Sequence, residues 1–235
     1  MKLATVTIAN RFRGPPGSGN GGYTVGLLAR YAPEPMTVRL HLPPPLGVPL
    51  DVVAADGDAL QLSAGTIVYA SATPASVDFE VPAAPAPATA QDAATRYAGL
   101  GAHLFPGCFV CGPARAAGDG LRIFAGSVAG DPTLYAAPWQ PDASLAGTRQ
   151  AVRPEFMAAA LDCPGYFAIG GDRLMLLGSL SLRIDRAVAV GEQCSVVAWS
   201  LGGAGRKWRA ATAIYGADGD CAARASATWI ELQRS

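Results

Sequence analysis

The sequence predicts an α+β fold made of two like halves, each a short helix followed by a run of antiparallel strands. Three observations carry this. Short runs rich in β-branched residues recur, separated by Gly, Pro and Asp turn chemistry. Two apolar segments, one in each half, carry helix-start signals. The order strand, helix, strands then occurs twice, on either side of an Ala/Pro-rich stretch. Composition agrees with a packed chain. Of 235 residues, 50% are hydrophobic and only 15% charged, enough to bury a core without staples.

The elements follow in order. Residues 3–9, LATVTIA, form a strand by their β-branched content. RGPPGSGNGG breaks regular structure, and a short helix, YTVGLLARY, begins near Asn20 and stops at Pro33 and Pro35. Four strands follow: MTVRLHL, PLDVVAA, ALQLS and TIVYASA. Residues 81–90, VPAAPAPATA, suit an extended, semi-stiff linker. LRIFAG and TLYAAPW are strands. VRPEFMAAALD is a helix with Pro154 in its first turn. Cys163-Pro164 argues against helix beyond it. Four more strands close the chain: LMLLGSLSLRI, CSVVAWSL, RKWRAATAIYG and CAARASATWIEL. This divides the chain into a unit over 1–80, a linker with a CxxC segment over 81–118, and a unit over 119–235.

The halves can be superposed. An offset of 142 residues lays LHLPPPLGVPL on LRIDRAVAVGE, so that Leu40 meets Leu182 and Val48 meets Val190. The helices align at an offset of 133, Asn20 on Arg153, leaving nine extra residues between helix and strand in the second half. This ordered pattern resembles a tandem double hotdog, in which a curved sheet wraps central helices. Its motifs resemble those of hotdog acyl-CoA thioesterases, whose helix starts with a His-Gly-Gly-like turn and carries an Asp seven residues after the second Gly. The first half has Asn20-Gly21-Gly22-Tyr23 but Ala29 at the Asp position; the second has Arg153-Pro154-Glu155 and then Asp162. SLSLRIDRAVAVGE, with Arg186 and Gly191-Glu192, resembles the family's strand and Gly-Glu segment. The resemblance covers both halves in outline and leaves roughly 81–118 uncovered.

Each half thus keeps the part the other has lost. The resemblance implies a site shared between the units, so one complete composite site is expected: Asn20, Gly21, Gly22 and Tyr23 at a helix start, facing Asp162. Backbone N–H groups there, aided by the helix dipole, suit a developing oxyanion. Asp162, after MAAAL, sits among apolar residues that would raise its pKa toward that of a base. Ser179 or Ser181 could orient a water. Arg206 and Lys207, with Arg209, could hold coenzyme A phosphates. Glu155 is a further substrate-binding candidate, although complementing the helix dipole is its plainer role. The resemblance implies acyl-thioester hydrolysis; a non-catalytic acyl or acyl-CoA binder on the same scaffold is the alternative.

Other signals are set aside. Gly17, Gly19 and Gly22 satisfy GxGxxG, but no strand directly precedes them. Cys108 and Cys111 have zinc-like spacing, yet only His103 stands near and a closed site wants four ligands. No metal and no resident cofactor is expected; coenzyme A enters only as part of the substrate. With two histidines, His41 and His103, neither in a motif, a Ser-His-Asp triad is not legible, nor is the Asp-His pair of hotdog hydratases. Lys+Arg and Asp+Glu are 18 each, so no basic excess exists to bind nucleic acid. No apolar stretch is long enough for a membrane helix. Five scattered cysteines fit a reducing cytoplasm. A homodimer of such chains is the one protein partner expected.

Overall fold

The computed structural model describes residues 1–32 and 35–233; the helix stop assigned to Pro33 lies outside them. One antiparallel sheet of eleven strands holds the molecule together. The first half supplies β1 (Lys2–Thr7), β2 (Met36–Leu40), β3 (Pro49–Ala54), β4 (Leu60–Ala64) and β5 (Ile67–Pro74). The second supplies β6 (Gly126–Val128), β7 (Asp131–Trp139), β8 (Met175–Ile184), β9 (Cys194–Ala204), β10 (Lys207–Tyr215) and β11 (Cys221–Glu231). The strand order is β1-β3-β4-β5-β2-β8-β11-β10-β9-β7-β6. Read outward from the β2–β8 seam, the halves give the same order of corresponding strands, with β6 added at one edge. Val38 pairs with Leu180 across that seam. The offset of 142 makes these two residues counterparts, so a local two-fold axis passes between them.

Inside the curve lie α1 (Gly21–Ala29) and α3 (Pro154–Ala160). Both are buried on every side, from Gly22 to Leu28 and from Glu155 to Ala160, as helices apolar all round must be. Asn20 caps α1 and Arg153 occupies the same position on α3, as the offset of 133 requires. The helices cross where residues are small. A Cβ on Gly22 would lie 2.5 Å from Asp162 Cβ, and one on Gly26 would lie 2.3 Å from Glu155 Cα. Val38, Leu50, Val52, Leu62 and Leu180, all 0% exposed, belong to the core around these helices. Burying each such side chain contributes about 1.5–3 kcal/mol.

Three expectations need correction. The Ala/Pro stretch is not extended throughout: α2 (Pro87–Ala94) forms across its end, with Pro87 in the first turn and Ala90 and Ala93 buried beside Ala136 and Val197. Alanine is the best helix former and Pro is tolerated at the first position. The helix of the second half also does not end at Cys163-Pro164. It breaks at Leu161–Asp162 and restarts as α4 (Cys163–Ala168), with Pro164 in the first turn of the new helix. Thr212 Oγ1 donates to the Leu161 carbonyl at the break, 2.8 Å. Finally, LRIFAG joins the sheet only at Gly126; the Leu121 and Ile123 amides donate instead to the Phe109 and Val110 carbonyls. Among the described residues, no helix is long and apolar enough to cross a membrane.

Candidate active site

The break between α3 and α4 aims Asp162 at the start of α1. Its Oδ2 accepts from Gly22 N at 2.8 Å and from Asn20 Nδ2 at 2.9 Å. Asp162 is 2% exposed, and its Oδ1 has no hydrogen-bond partner. Burial pushes this carboxyl up to about 7; charge on Cys108 adds to the rise, while the Gly22 and Asn20 donors oppose it. Asn20 works twice. Its Oδ1 accepts from Tyr23 N as the helix cap, and its amide nitrogen reaches Asp162.

Asn20, Gly21 and Asp162 line a cavity of about 330 Å³. Its walls are mostly apolar and include Leu40, Leu177 and Ile230, with Leu42 and Leu104, both largely exposed, also on its lining. Trp229 also lines it, with a buried Nε1–H that has no acceptor.

The helix start and the acid are therefore brought together, but the amides divide differently from expectation. Gly22 N is committed to Asp162 and Tyr23 N to Asn20. Of the three amides, only that of Gly21 has no acceptor among the described residues. The Tyr23 side chain turns away from the cavity and stacks on Phe12, ring centroids 4.3 Å apart, beside Phe109 and Phe156. Burial pushes its phenol up to about 12.

Ser179 does not reach the cavity. It pairs with Arg39 on β2, one residue from the buried Val38–Leu180 pair, so it faces the outer side of the sheet. Ser181, on the same side, shares a hydrogen bond with Thr37, 2.7 Å. Glu155 is absent from the cavity as well. It sits at the start of α3, the counterpart of Gly22, with Oε1 3.3 Å from Arg30 Nη1 and 3.4 Å from Arg153 Nε. A structural ion pair thus occupies the place where a second composite site would lie. Arg206 and Lys207 stand at the β9–β10 turn outside the cavity. Arg206 Nε donates to the Glu231 carbonyl, and Lys207 pairs in register with Ile230, which does line the cavity.

Sequence reasoning missed the cysteines. Cys108 and Cys111 come from the loop before β6, and Cys163 opens α4 directly after Asp162. Their three Sγ atoms lie within 4.8 Å of one another, and all three residues line the cavity. The loop is held by Tyr97 Oη, which donates to the Cys111 carbonyl at 2.7 Å, and by Gly112, where a Cβ would lie 2.4 Å from the Pro106 carbonyl. Cys108 Sγ and Cys163 Sγ share a hydrogen bond, 3.7 Å, and the neighbouring Cys111 and Cys163 side chains hold the Cys108 pKa well below the usual thiol value. Burial first, and then the shared bond with Cys108, push Cys111 up; the bond with Cys108 leads for Cys163. The adjacency of Cys163 to Asp162 was the one signal in the sequence that could have tied the CxxC pair to the site.

No family model matches this sequence, and a search of curated proteins finds no match. Solved structures match along the whole chain. The tesB protein of Mycobacterium avium subspecies paratuberculosis superposes with a TM-score of 0.62 over 97% of this chain and 92% of its own, at 15% identity. A candidate thioesterase of Novosphingobium aromaticivorans gives 0.63 over 97% and 95%, at 13% identity. A hot dog fold protein of unknown function from Alicyclobacillus acidocaldarius gives 0.55 over 100% and 97%, at 11% identity. The chain is a double hotdog, similar in fold to these proteins. Identities of this size carry the fold and leave the activity to be argued from the site.

Proposed function

We propose that this chain hydrolyses an acyl thioester, with coenzyme A as the thiol carrier, at the single composite site between its halves. The observation that carries the reading is the meeting of a buried carboxylate from one half, Asp162, with the helix start of the other, Asn20-Gly21-Gly22, on an apolar cavity. The acyl chain lies along the apolar walls. The thioester carbonyl oxygen accepts from the Gly21 amide, where the α1 dipole favours negative charge. Asp162, held by two donors on Oδ2, takes a proton from water through Oδ1. The water oxygen bonds to the carbonyl carbon, the C–S bond breaks, and the leaving thiolate takes up the proton that Asp162 gives back, which restores the carboxylate. The products are a carboxylic acid and the free thiol. Arg206 and Lys207 stand beside a cavity-lining strand and would meet the phosphates of the carrier.

The test is a panel of acyl-CoA substrates of different chain length, read by release of free thiol. Hydrolysis of at least one chain class with saturation kinetics is expected. Saturable binding of an acyl-CoA with no thiol released from any member would replace this reading with the non-catalytic binder.

A further inference from the structure

Cys108, Cys111 and Cys163 form the densest cluster of metal-type ligands among the described residues. Cys108 Sγ and Cys163 Sγ are 3.7 Å apart. A tetrahedral zinc ion with Zn–S bonds of about 2.3 Å holds its sulfur atoms about 3.8 Å apart. The Cys108–Cys163 pair therefore already stands at the edge length of such a site, although the two residues are 55 apart in the chain. All three thiols are free and buried.

The surrounding donors suit anionic sulfur. Asn20 Nδ2 lies 3.9 Å from both Cys108 Sγ and Cys163 Sγ. His103 Nε2 lies 3.3 Å from Cys111 Sγ, and its Nδ1 accepts the Phe105 amide at 2.9 Å. That second bond assigns the ring proton to Nε2, so His103 presents an N–H to the thiolate and no lone pair to a metal. It supports a ligand without being one. Soft thiolates with buried N–H partners select zinc among the common divalent ions.

We propose that Cys108, Cys111 and Cys163 bind one zinc ion as three thiolates, with the fourth position open to the cavity. Uptake forms three Zn–S bonds, releases to solvent whichever thiol protons the three sulfurs still carry, and changes no oxidation state. The ion ties the loop between the halves to the start of α4, one residue beyond Asp162. The inference does not rest on the hydrolase reading, and its readout is metal, not turnover.

The experiment uses the full chain, purified under reducing conditions. Elemental analysis after exhaustive buffer exchange is expected to find about one zinc per chain, and cobalt(II) in its place is expected to give thiolate-to-cobalt charge-transfer absorption in the near ultraviolet. Cys163→Ser should lose both, and Cys221→Ser, outside the cluster, should keep both. If Cys163→Ser does not fold, the unaltered chain decides: the reduced protein must take up zinc in competition with a chelator. Failure of the reduced chain to take up zinc or to show the cobalt bands would overturn the proposal. So would copper alone at the site, a disulfide between two of the three cysteines that persists through purification under reducing conditions, or zinc retained undiminished by folded Cys163→Ser.

Discussion

Gly22→Ala tests the contact of α1 with the C-terminal end of α3. The added Cβ would lie 2.5 Å from Asp162 Cβ, 2.7 Å from the Ala158 carbonyl oxygen and 3.0 Å from Ala159 Cα. Non-bonded carbons prefer roughly 3.5–4.0 Å. Relief therefore needs α1 and α3 to part by about 1 Å. The obstructing atoms are backbone and Cβ, so no rotamer change can absorb the strain. Alanine in place of glycine gains about 1 kcal/mol of helix propensity. Overpacking costs about 1–3 kcal/mol and should fall at the upper end here. The net expectation is a loss of about 1–2 kcal/mol, a fall in Tm of roughly 2–8 °C for a chain of this size. Parting the helices also stretches the 2.8 Å bond from Gly22 N to Asp162, so hydrolysis should fall by more than stability alone explains. Thermal melts and thiol-release rates on the same preparation measure both. A variant more stable than the parent would show that propensity wins, and hence that the helices do not touch at Gly22.

Two other outcomes are expected. Arg30→Ala removes one of the two cations beside Glu155, a carboxylate only 1% exposed with Oε2 already unpartnered; denaturant titration should show a loss of about 1–3 kcal/mol, and an unchanged midpoint would mean that Arg153 alone suffices. Burial pushes the Asp162 carboxyl up to about 7, and a base acts only when deprotonated. The kcat/KM of hydrolysis should therefore rise with pH and level off above about 7, and a profile flat from pH 5 to pH 8 would remove Asp162 from the base role.

Much of this arrangement was legible because it is written locally. Asn20 and Arg153 are both cap positions, and the chain spacing from each to its counterpart acid position is the same, so the loss of Asp at Ala29 and of glycine at Glu155 could be read as complementary. The strands were legible for the same reason: turn chemistry such as DGD and ADGD fixes their ends, although β9 runs on through GGA to Ala204. The failures share another cause, which is tertiary context. Ser179 alternates onto the outer face because of a register set by β2, which its own sequence cannot specify. The Gly22 amide was counted as a free donor, but Asp162 consumes it once the halves meet; the Tyr23 amide goes to the Asn20 cap, a local bond. Cys163 stands more than fifty residues from the CxxC pair, and only the packing of the middle loop under α4 brings the three sulfurs together. In α2, Pro content masked a run of good helix formers that needed the β6–β7 surface to fold upon.

The central claim is that two-fold related places have divided into one working site, where Gly22 meets Asp162, and one structural ion pair, where Glu155, the counterpart of Gly22, meets Arg30 and Arg153. Asp162→Asn and Glu155→Gln, compared side by side for acyl-CoA hydrolysis and for retention of fold by circular dichroism, test it most directly. The expected result is a loss of about 10²–10⁴-fold in kcat for Asp162→Asn, with Glu155→Gln close to the parent rate. Hydrolysis undiminished in folded Asp162→Asn, or lost equally in both variants, would contradict it.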